Sequence, residues 1–443
     1  MTRCNWRIEL GNLHGKQITG GFEGGDICTD GGLMLVEKAD RRLKLTKRLS
    51  AVLTDTRDPG KVKHSLAEMI RQRVYQIACG YEDCNDADDL RFAPLFKAAV
   101  GRLPQNGPQL ASQPTLSRRE NSVTRSELYR MSQMLVDLFI QRHSGPRKVV
   151  VDIDATDDPT HGQQQLSGFH GYYDEHCYLP LIVTARVEGE PDELLAAILR
   201  PGRSYPGARA VTMLKRLVAK LREAWPDVTI LVRADSGFAR PEVYRFCETH
   251  GIPYLIGLIT NPRLQQLAEL YLKQARAYHD EPGRKVRRLH ETHYAAASWR
   301  HKRRVLVKAE VTDRGDNPRF VVTDMSGDPL FLYDCYAGRG AAENRIKELK
   351  DLAIDRTSCH RFLPNQFRLI LHAAAFVLLS FLRRHLADTE LASAQVATIQ
   401  RKLLKLGGLV KETCRRVWLH FASSCPLQRL WPTLPHRLRA APG

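Results

Sequence analysis

Between residues 33 and 143, apolar positions recur every three to four residues, the period of an amphipathic helix. The pattern predicts helices over 33–43, 65–80, 86–100 and 125–143, the last with Leu128, Met131, Leu135 and Leu138 on one side. Gly80 stands where a helix closes on a left-handed residue. Ahead of these helices, Gly20-Gly21, Gly24-Gly25 and Gly31-Gly32 mark turns between short extended pieces. A polar stretch rich in Pro, Gly and Gln over 103–113 reads as a loop. Pro114-Thr-Leu-Ser-Arg-Arg-Glu120 is read as structural rather than as a DNA contact.

The pattern changes at Lys148. Val149-Val-Val-Asp-Ile-Asp154 is a β-branched run in which Asp152 and Asp154 share one face by the two-residue period of a strand. Further strands are expected over 178–187, 193–200, 228–233 and 252–258, with helices over 208–224 and 241–250. The order is β-β-β-α-β-α-β. A helix over 264–278 and strands over 294–299, 304–312 and 319–323 then interrupt it and read as an inserted β-rich subdomain. Its basic face would carry two clusters, Arg284, Lys285, Arg287 and Arg288, then Arg300, Lys302, Arg303 and Arg304 beside Trp299. The apolar run 369–382, about fourteen residues carrying His372, is too short to span a bilayer and reads as a buried helix. The tail contains a basic amphipathic stretch with Arg401, Lys402, Lys405, Lys411, Arg415 and Arg416.

These patterns divide the chain into a mainly helical N-terminal region for DNA binding or dimerisation (1–145), an α/β core in two parts (146–260 and 331–389), the β-rich insertion (261–330) and a basic helical tail (390–443).

The stretch 336–350 has the most ordered spacing in the chain. If one helix runs through it, Tyr336, Arg339, Glu343 and Lys350 fall within an arc of roughly 60°. Lys347 lies beside that arc, and Ala342, Ile346, Leu349 and Ala353 form an adjacent apolar stripe. An ordinary surface helix laced by i,i+4 ion pairs has the same look. Two Asp-bearing strands upstream favour a site.

Charge and cysteine usage narrow the class. The net charge of +18, from 67 Lys+Arg against 49 Asp+Glu, calls for a polyanionic partner, nucleic acid first. The N-terminal residues show no apolar core of a secretory signal, and the ten cysteines lack paired or zinc-type spacing. A reduced cytoplasmic protein without membrane association is expected.

Asp154 and Asp235 stand at expected strand ends, where an α/β sheet exposes reactive groups, and Glu343 stands on the late helix. Three clustered carboxylates repel an anionic substrate unless divalent metals neutralise them. Oxygen-only ligands select hard ions, Mg²⁺ or Mn²⁺, and two such ions suit phosphoryl displacement. Asp152 is either the first ligand or a supporting carboxylate; Asp154 is preferred because it adjoins Ala155-Thr156 at the strand end. His161 could orient a ligand but reads first as a loop histidine. Asp157 and Asp158 read as loop caps, and Arg200 and Arg203 as a solvated turn.

Asp154-Ala-Thr, Asp235-Ser-Gly-Phe and the spaced set Tyr336, Arg339, Glu343 and Lys350 resemble the DDE transposases of bacterial insertion sequences. The closest resemblance is to the subgroup with a ribonuclease-H-like core of the retroviral-integrase type, a β-strand insertion before the Glu helix and a Tyr-x2-Arg-x3-Glu-x6-Lys signature. It covers about 145–385. Asp157-Asp-Pro-Thr-His-Gly-Gln and Gly171-Tyr-Tyr with Cys177-Tyr-Leu-Pro180 are similar to the first catalytic block of one branch. The resemblance implies that Asp154, Asp235 and Glu343 hold two Mg²⁺ (or Mn²⁺) ions, that water nicks the element's end, and that the freed 3′-OH attacks target DNA. Tyr336, Arg339 and Lys350 would hold the DNA backbone. Lys347, Arg300, Lys302, Arg303 and Arg304 are further candidate contacts by charge and position, against the plainer reading of a polar face. The partners implied are duplex DNA bearing terminal inverted repeats, target DNA, and a second or further copy of the chain. A ribonuclease-H-like nuclease or junction resolvase, and a silent DNA-binding descendant of a transposase, are the competing readings.

Overall fold

Lys148–Ala155 (β1) is the central strand from which the larger part of the molecule is built, and six of its eight residues are buried. The computed structural model describes residues 7–278 and 285–439. Two compact units result, one from residues up to 122 together with those from 374 onward, the other from 123–373. Arg284 of the first basic cluster and residues 1–6, on which the expected lack of a secretory signal rests, lie outside the described residues.

In the second unit β1 pairs antiparallel with Leu181–Val187 (β2), which pairs antiparallel with Glu193–Ile198 (β3). On its other side β1 runs parallel to Thr229–Ala234 (β4), which runs parallel to Tyr254–Leu258 (β5). Arg125–Arg142 (α1), Ala210–Ala224 (α2) and Pro241–Thr249 (α3) supply apolar residues to the core on one side of this sheet. Sheet strands covered on both faces become continuous apolar runs, so Val149-Val-Val and Ile230-Leu-Val are buried throughout. The N-terminus of α1 has a reciprocal cap, Thr124 and Glu127 each bonding the other's backbone N–H. The β-β-β-α-β-α-β order is present.

The stretch 286–323 does not form a body of its own. Val286–Tyr294 (β6), Arg303–Thr312 (β7) and Arg319–Thr323 (β8) extend the same sheet in the order β6-β7-β8-β5-β4-β1-β2-β3, and a ninth, two-residue strand, Gly315–Asp316, pairs with β7 off this path. The reason lies in β8, whose Phe320-Val-Val is buried and lies against β5 with Val322 opposite Ile256. The strand expected at 294–299 is displaced: β6 ends at Tyr294, and Trp299 packs edge-on against Tyr244 and Tyr294. β6 is a largely exposed edge strand, so its polar sequence masks it. Pro262–Arg276 (α4) lies between β5 and β6 in the chain.

The helix expected to run unbroken from Tyr336 to Lys350 is two helices, Pro329–Ala337 (α5) and Gly340–Asp351 (α6). Gly338 and Gly340 flank the break, and backbone bonds there tighten to three-residue spacing, as in Arg339 N–H to Tyr336 O. Tyr336 therefore sits on a different helix from Glu343 and Lys350. Ala342 and Leu349 are buried as expected, Ile346 and Ala353 only partly.

The strand expected over 178–187 starts at Leu181, and between β1 and β2 lies a small three-stranded sheet of Asp158–Pro159, Gly168–His170 and Glu175–Tyr178. Gly202 pins it, since a Cβ there would stand 2.0 Å from the Cys177 carbonyl oxygen and 2.7 Å from Gly168 backbone atoms. Nothing in that contact is a flexible side chain. Gly202→Ala is expected to lower stability by about 1–3 kcal/mol, read from the denaturant midpoint; an unchanged midpoint removes this role. Arg200 is fully buried rather than a solvated turn, donating to the Leu179 and Ala208 carbonyls at 2.7 and 2.9 Å and to that of Pro206.

In the first unit the predicted helices at 33–43 and 65–80 are Leu33–Leu43 and Leu66–Ala78, the latter opened by a Ser65–Glu68 capping box and followed by Gly80 at φ +85°. The helix expected over 86–100 breaks into Ala87–Leu90 and Pro94–Val100, because a proline cannot continue the ladder. Pro114–Glu120 lies in a helix, Gln113–Asn121. The expected basic helix is present only in the first part of the tail, where Val396–Ile399 continues into Gln400–Leu404 with Arg401 and Lys402. Gly408–Glu412 and Val417–Phe421 form a hairpin, Arg415 and Arg416 lie in its turn, and its first strand pairs with Ile27–Cys28. The apolar run at 369–382 lies in the 23-residue helix Phe362–Arg384, long and apolar enough by composition to cross a membrane but mostly buried within the protein.

Candidate active site

Asp154 is the penultimate residue of β1, and Asp235 directly follows β4. Because these strands are parallel and adjacent, both acids emerge at the same carboxyl-end edge. Asp235 caps the turn Ser236–Phe238, accepting from Gly237 N–H at 2.9 Å. Glu343 projects from the first turn of α6.

Arg339, in the break between α5 and α6, ties these elements together. Its Nη1 donates to Asp154 Oδ2 at 2.7 Å and its Nη2 to Glu343 Oε1 at 2.6 Å. Asp235 and Tyr336 also lie within its electrostatic reach. The Tyr336 hydroxyl stands over β5, where a Cβ on Gly257 would lie 2.6 Å from it. Carboxylates from three remote stretches thus surround one guanidinium and one phenol.

Burial governs the protonation of this group. It pushes Asp154 up to about 6, with Arg339 opposing and Asp235 and Glu343 adding to the rise. Burial likewise raises Asp235, against the pull of Arg339. The Tyr336 phenol is raised by burial, and Arg339 again opposes. For Arg339 desolvation works against the charge, but its acidic neighbours outweigh it and hold the guanidinium above its ordinary value.

The donor set is all oxygen and suits a hard divalent ion. Its arrangement does not. Among the described residues no three acidic, His or Cys side chains are placed to hold a metal ion. The guanidinium of Arg339 stands where Asp154 and Glu343 would have to share one.

Asp152 is not beside Glu343. It faces Arg233 on β4, directly opposite in register, through a paired contact of 2.7 and 2.6 Å in which both side chains are 1% exposed. Arg233 Nη1 also donates to the Cys335 carbonyl at 2.6 Å, fixing the end of α5 just before Arg339. Lys350 is held by Asp157 at 2.8 Å, and Lys347 is exposed. Asp158 is a buried acceptor for the Thr357 hydroxyl rather than an exposed cap. The His161 side chain is exposed, while its backbone N–H bonds Gln164.

Two of the expected DNA-contacting cations are committed elsewhere. Arg303 is buried, bonded to Glu248 at 2.6 Å and stacked over the Trp299 and Tyr244 rings. Arg304 spans Glu291 and the Met325 and Gly327 carbonyls. Arg300 and Lys302 are exposed. In the first cluster Lys285 pairs with Glu310, Arg287 with Asp334, and Arg288 lies over Tyr278.

Sequence reasoning missed Arg233 and Tyr173. A lone arginine in the apolar run Thr-Ile-Leu-Val-Arg was the available signal, because a charge in a strand covered on both faces needs a partner. Tyr173 lies at the tip of the small sheet; burial raises its phenol first, and the fields of Asp157, Asp154 and Asp235 add to the rise.

A comparison with curated proteins returns no match. A family model described as transposase DDE domain group 1 matches residues 10–442, nearly the whole chain, and the protein therefore belongs to the DDE transposases.

Proposed function

We propose that this transposase serves a bacterial insertion sequence, binds the terminal inverted repeats of its element, and cuts and rejoins DNA by in-line phosphoryl transfer. One observation carries the reading: Asp154, Asp235 and Glu343, far apart in the chain, meet around Arg339. The strand order β3-β2-β1-β4-β5, with one acid near the end of β1 and one after β4, agrees with a ribonuclease-H-like core. The net charge of +18 suits a DNA partner.

DDE transposases generally use divalent metals. Asp154, Asp235 and Glu343 are the proposed holders of Mg²⁺ or Mn²⁺, two ions per site, once Arg339 no longer stands among them. Tyr336, Arg339, Lys347 and Lys350, with the exposed Arg300 and Lys302, are the proposed DNA contacts. An arginine forks onto a phosphate, a lysine meets it as a point charge, and a tyrosine offers a stacking face. Joining two ends in concert requires a homodimer or larger assembly, acting on nucleoid DNA in the cytoplasm.

The test is incubation with an end-bearing duplex and Mg²⁺, with products sized on a denaturing gel. Nicked strands together with longer strand-transfer products are expected. Shortened products alone indicate a hydrolytic nuclease, and unchanged strands a silent DNA-binding protein. Glu343→Gln should bind the duplex as the wild type does and lose nicking; retained nicking removes Glu343 from the chemistry. Binding should weaken steeply with salt as counterions are released, and a flat response contradicts the phosphate contacts.

A further inference from the structure

Both cations of the helix signature are held by acids of the protein itself. Arg339 bridges Asp154 and Glu343, and Lys350 rests on Asp157. The Arg339 contact is the unusual one. Its guanidinium is 12% exposed and joins a carboxylate of the sheet to one of a helix, taking oxygens that a metal ion would need. A guanidinium and a divalent ion brought to the same carboxylate oxygens compete for them, and as like charges at contact distance they repel.

The surroundings permit the side chain to leave. Arg339 sits in the break between α5 and α6 with Gly338 and Gly340 on either side, and Glu343 is half exposed. A planar guanidinium pairs with a phosphate as well as with a carboxylate, through the same two parallel donors. A backbone phosphate of DNA can therefore compete for it.

We propose that Arg339 is the resident cation of the acid cluster in the DNA-free protein, and that a backbone phosphate draws it off, so that DNA binding and divalent-ion binding are coupled through this side chain. The inference rests on the proposed function and extends it from a list of ligands to an order of assembly. In free protein the carboxylates are neutralised in place and the site stays closed to metal. With DNA bound, the guanidinium changes partner and Asp154 and Glu343 are released together. The coupling is reciprocal: whatever factor DNA adds to metal affinity, metal adds to DNA affinity. A purely structural ion pair would carry no such linkage.

The experiment measures Mn²⁺ binding to the full chain by electron paramagnetic resonance, with and without a short DNA duplex. Wild-type protein should bind Mn²⁺ about tenfold or more tightly once duplex is added. Arg339→Gln should bind Mn²⁺ that tightly without DNA and gain nothing further from it. Arg339→Lys, which keeps charge but lacks the planar fork of donors, should fall between and covers the case in which the glutamine variant does not fold. Wild-type affinity that ignores duplex overturns the proposal, as does a duplex effect that survives Arg339→Gln. Asp154→Asn separates the two levels of inference. Mn²⁺ binding that requires Asp154 but is indifferent to Arg339 defeats only the coupling, whereas no Mn²⁺ binding in any protein, duplex present, defeats the metal reading with it.

Discussion

Asp154→Asn is expected to lower DNA cleavage by on the order of 10²–10³-fold or more while leaving the protein folded and able to bind DNA. Asp152→Asn is expected to do the reverse. The two aspartates share a strand face two residues apart, yet their surroundings differ. Asp154 lies at the edge of the sheet among Asp235, Glu343 and Arg339, where burial has already raised its carboxyl toward neutrality. An amide there fits the same space and can still accept from Arg339. Asp152 is the carboxylate bonded to the buried Arg233, and neutralising it strands a guanidinium in the core, at a cost of about 3–5 kcal/mol. Gel assays of cleavage beside thermal melts decide between them; a folded, inactive Asp152→Asn protein would make Asp152 the reacting acid. The pH dependence has a sign as well. Because the folded Asp154 titrates near 6 rather than at 3.8, it favours the folded state below about 4 and that contribution is lost as pH rises through 6. The stability of Asp154→Asn relative to wild type should therefore improve across that window.

Most of the sheet was legible because β-branched runs such as Val149-Val-Val and Val305-Leu-Val admit few alternatives to a buried strand. The strand-end positions of Asp154 and Asp235 were legible for the same reason, since a strand end has a fixed place relative to its run. What failed was reading charge from linear clusters. Arg303 and Arg304 stand beside exposed cations in sequence, but strand alternation sends them to different partners, Glu248 for one and Glu291 for the other. Those partners lie 55 and 13 residues away, beyond any local pattern. Arg200 failed likewise, its ligands being carbonyls of a loop whose path the sequence does not disclose. The break at Gly338–Gly340 did leave a signal. Two glycines within three residues, Gly338 and Gly340, were that signal, but spacing of three and four residues looked continuous across the break between the two helices.

Arg233→Met tests the link between this buried core and the site. Alone it should be among the most damaging changes in the protein, about 3–5 kcal/mol, because it leaves the Asp152 carboxylate buried and unpaired. Adding Asp152→Leu removes that charge, and apolar residues of similar volume replacing a buried ion pair are often neutral or stabilising. The double variant should thus regain most of the lost melting temperature, a non-additivity that marks direct contact. Activity should not follow. Arg233 also bonds the Cys335 carbonyl at 2.6 Å and reaches that of Gly338 at 3.4 Å, the residue before Arg339. Methionine supplies neither bond, so the α5–α6 break loses its anchor and Arg339 and Glu343 lose their placement. A shift of about 1 Å at a reacting group can cost on the order of 10²-fold in rate, and a cleavage deficit of that size is expected in a protein that melts normally. Should the refolded double variant cleave as the wild type does, Arg233 serves the core alone and the placement of the α6 acid must come from elsewhere.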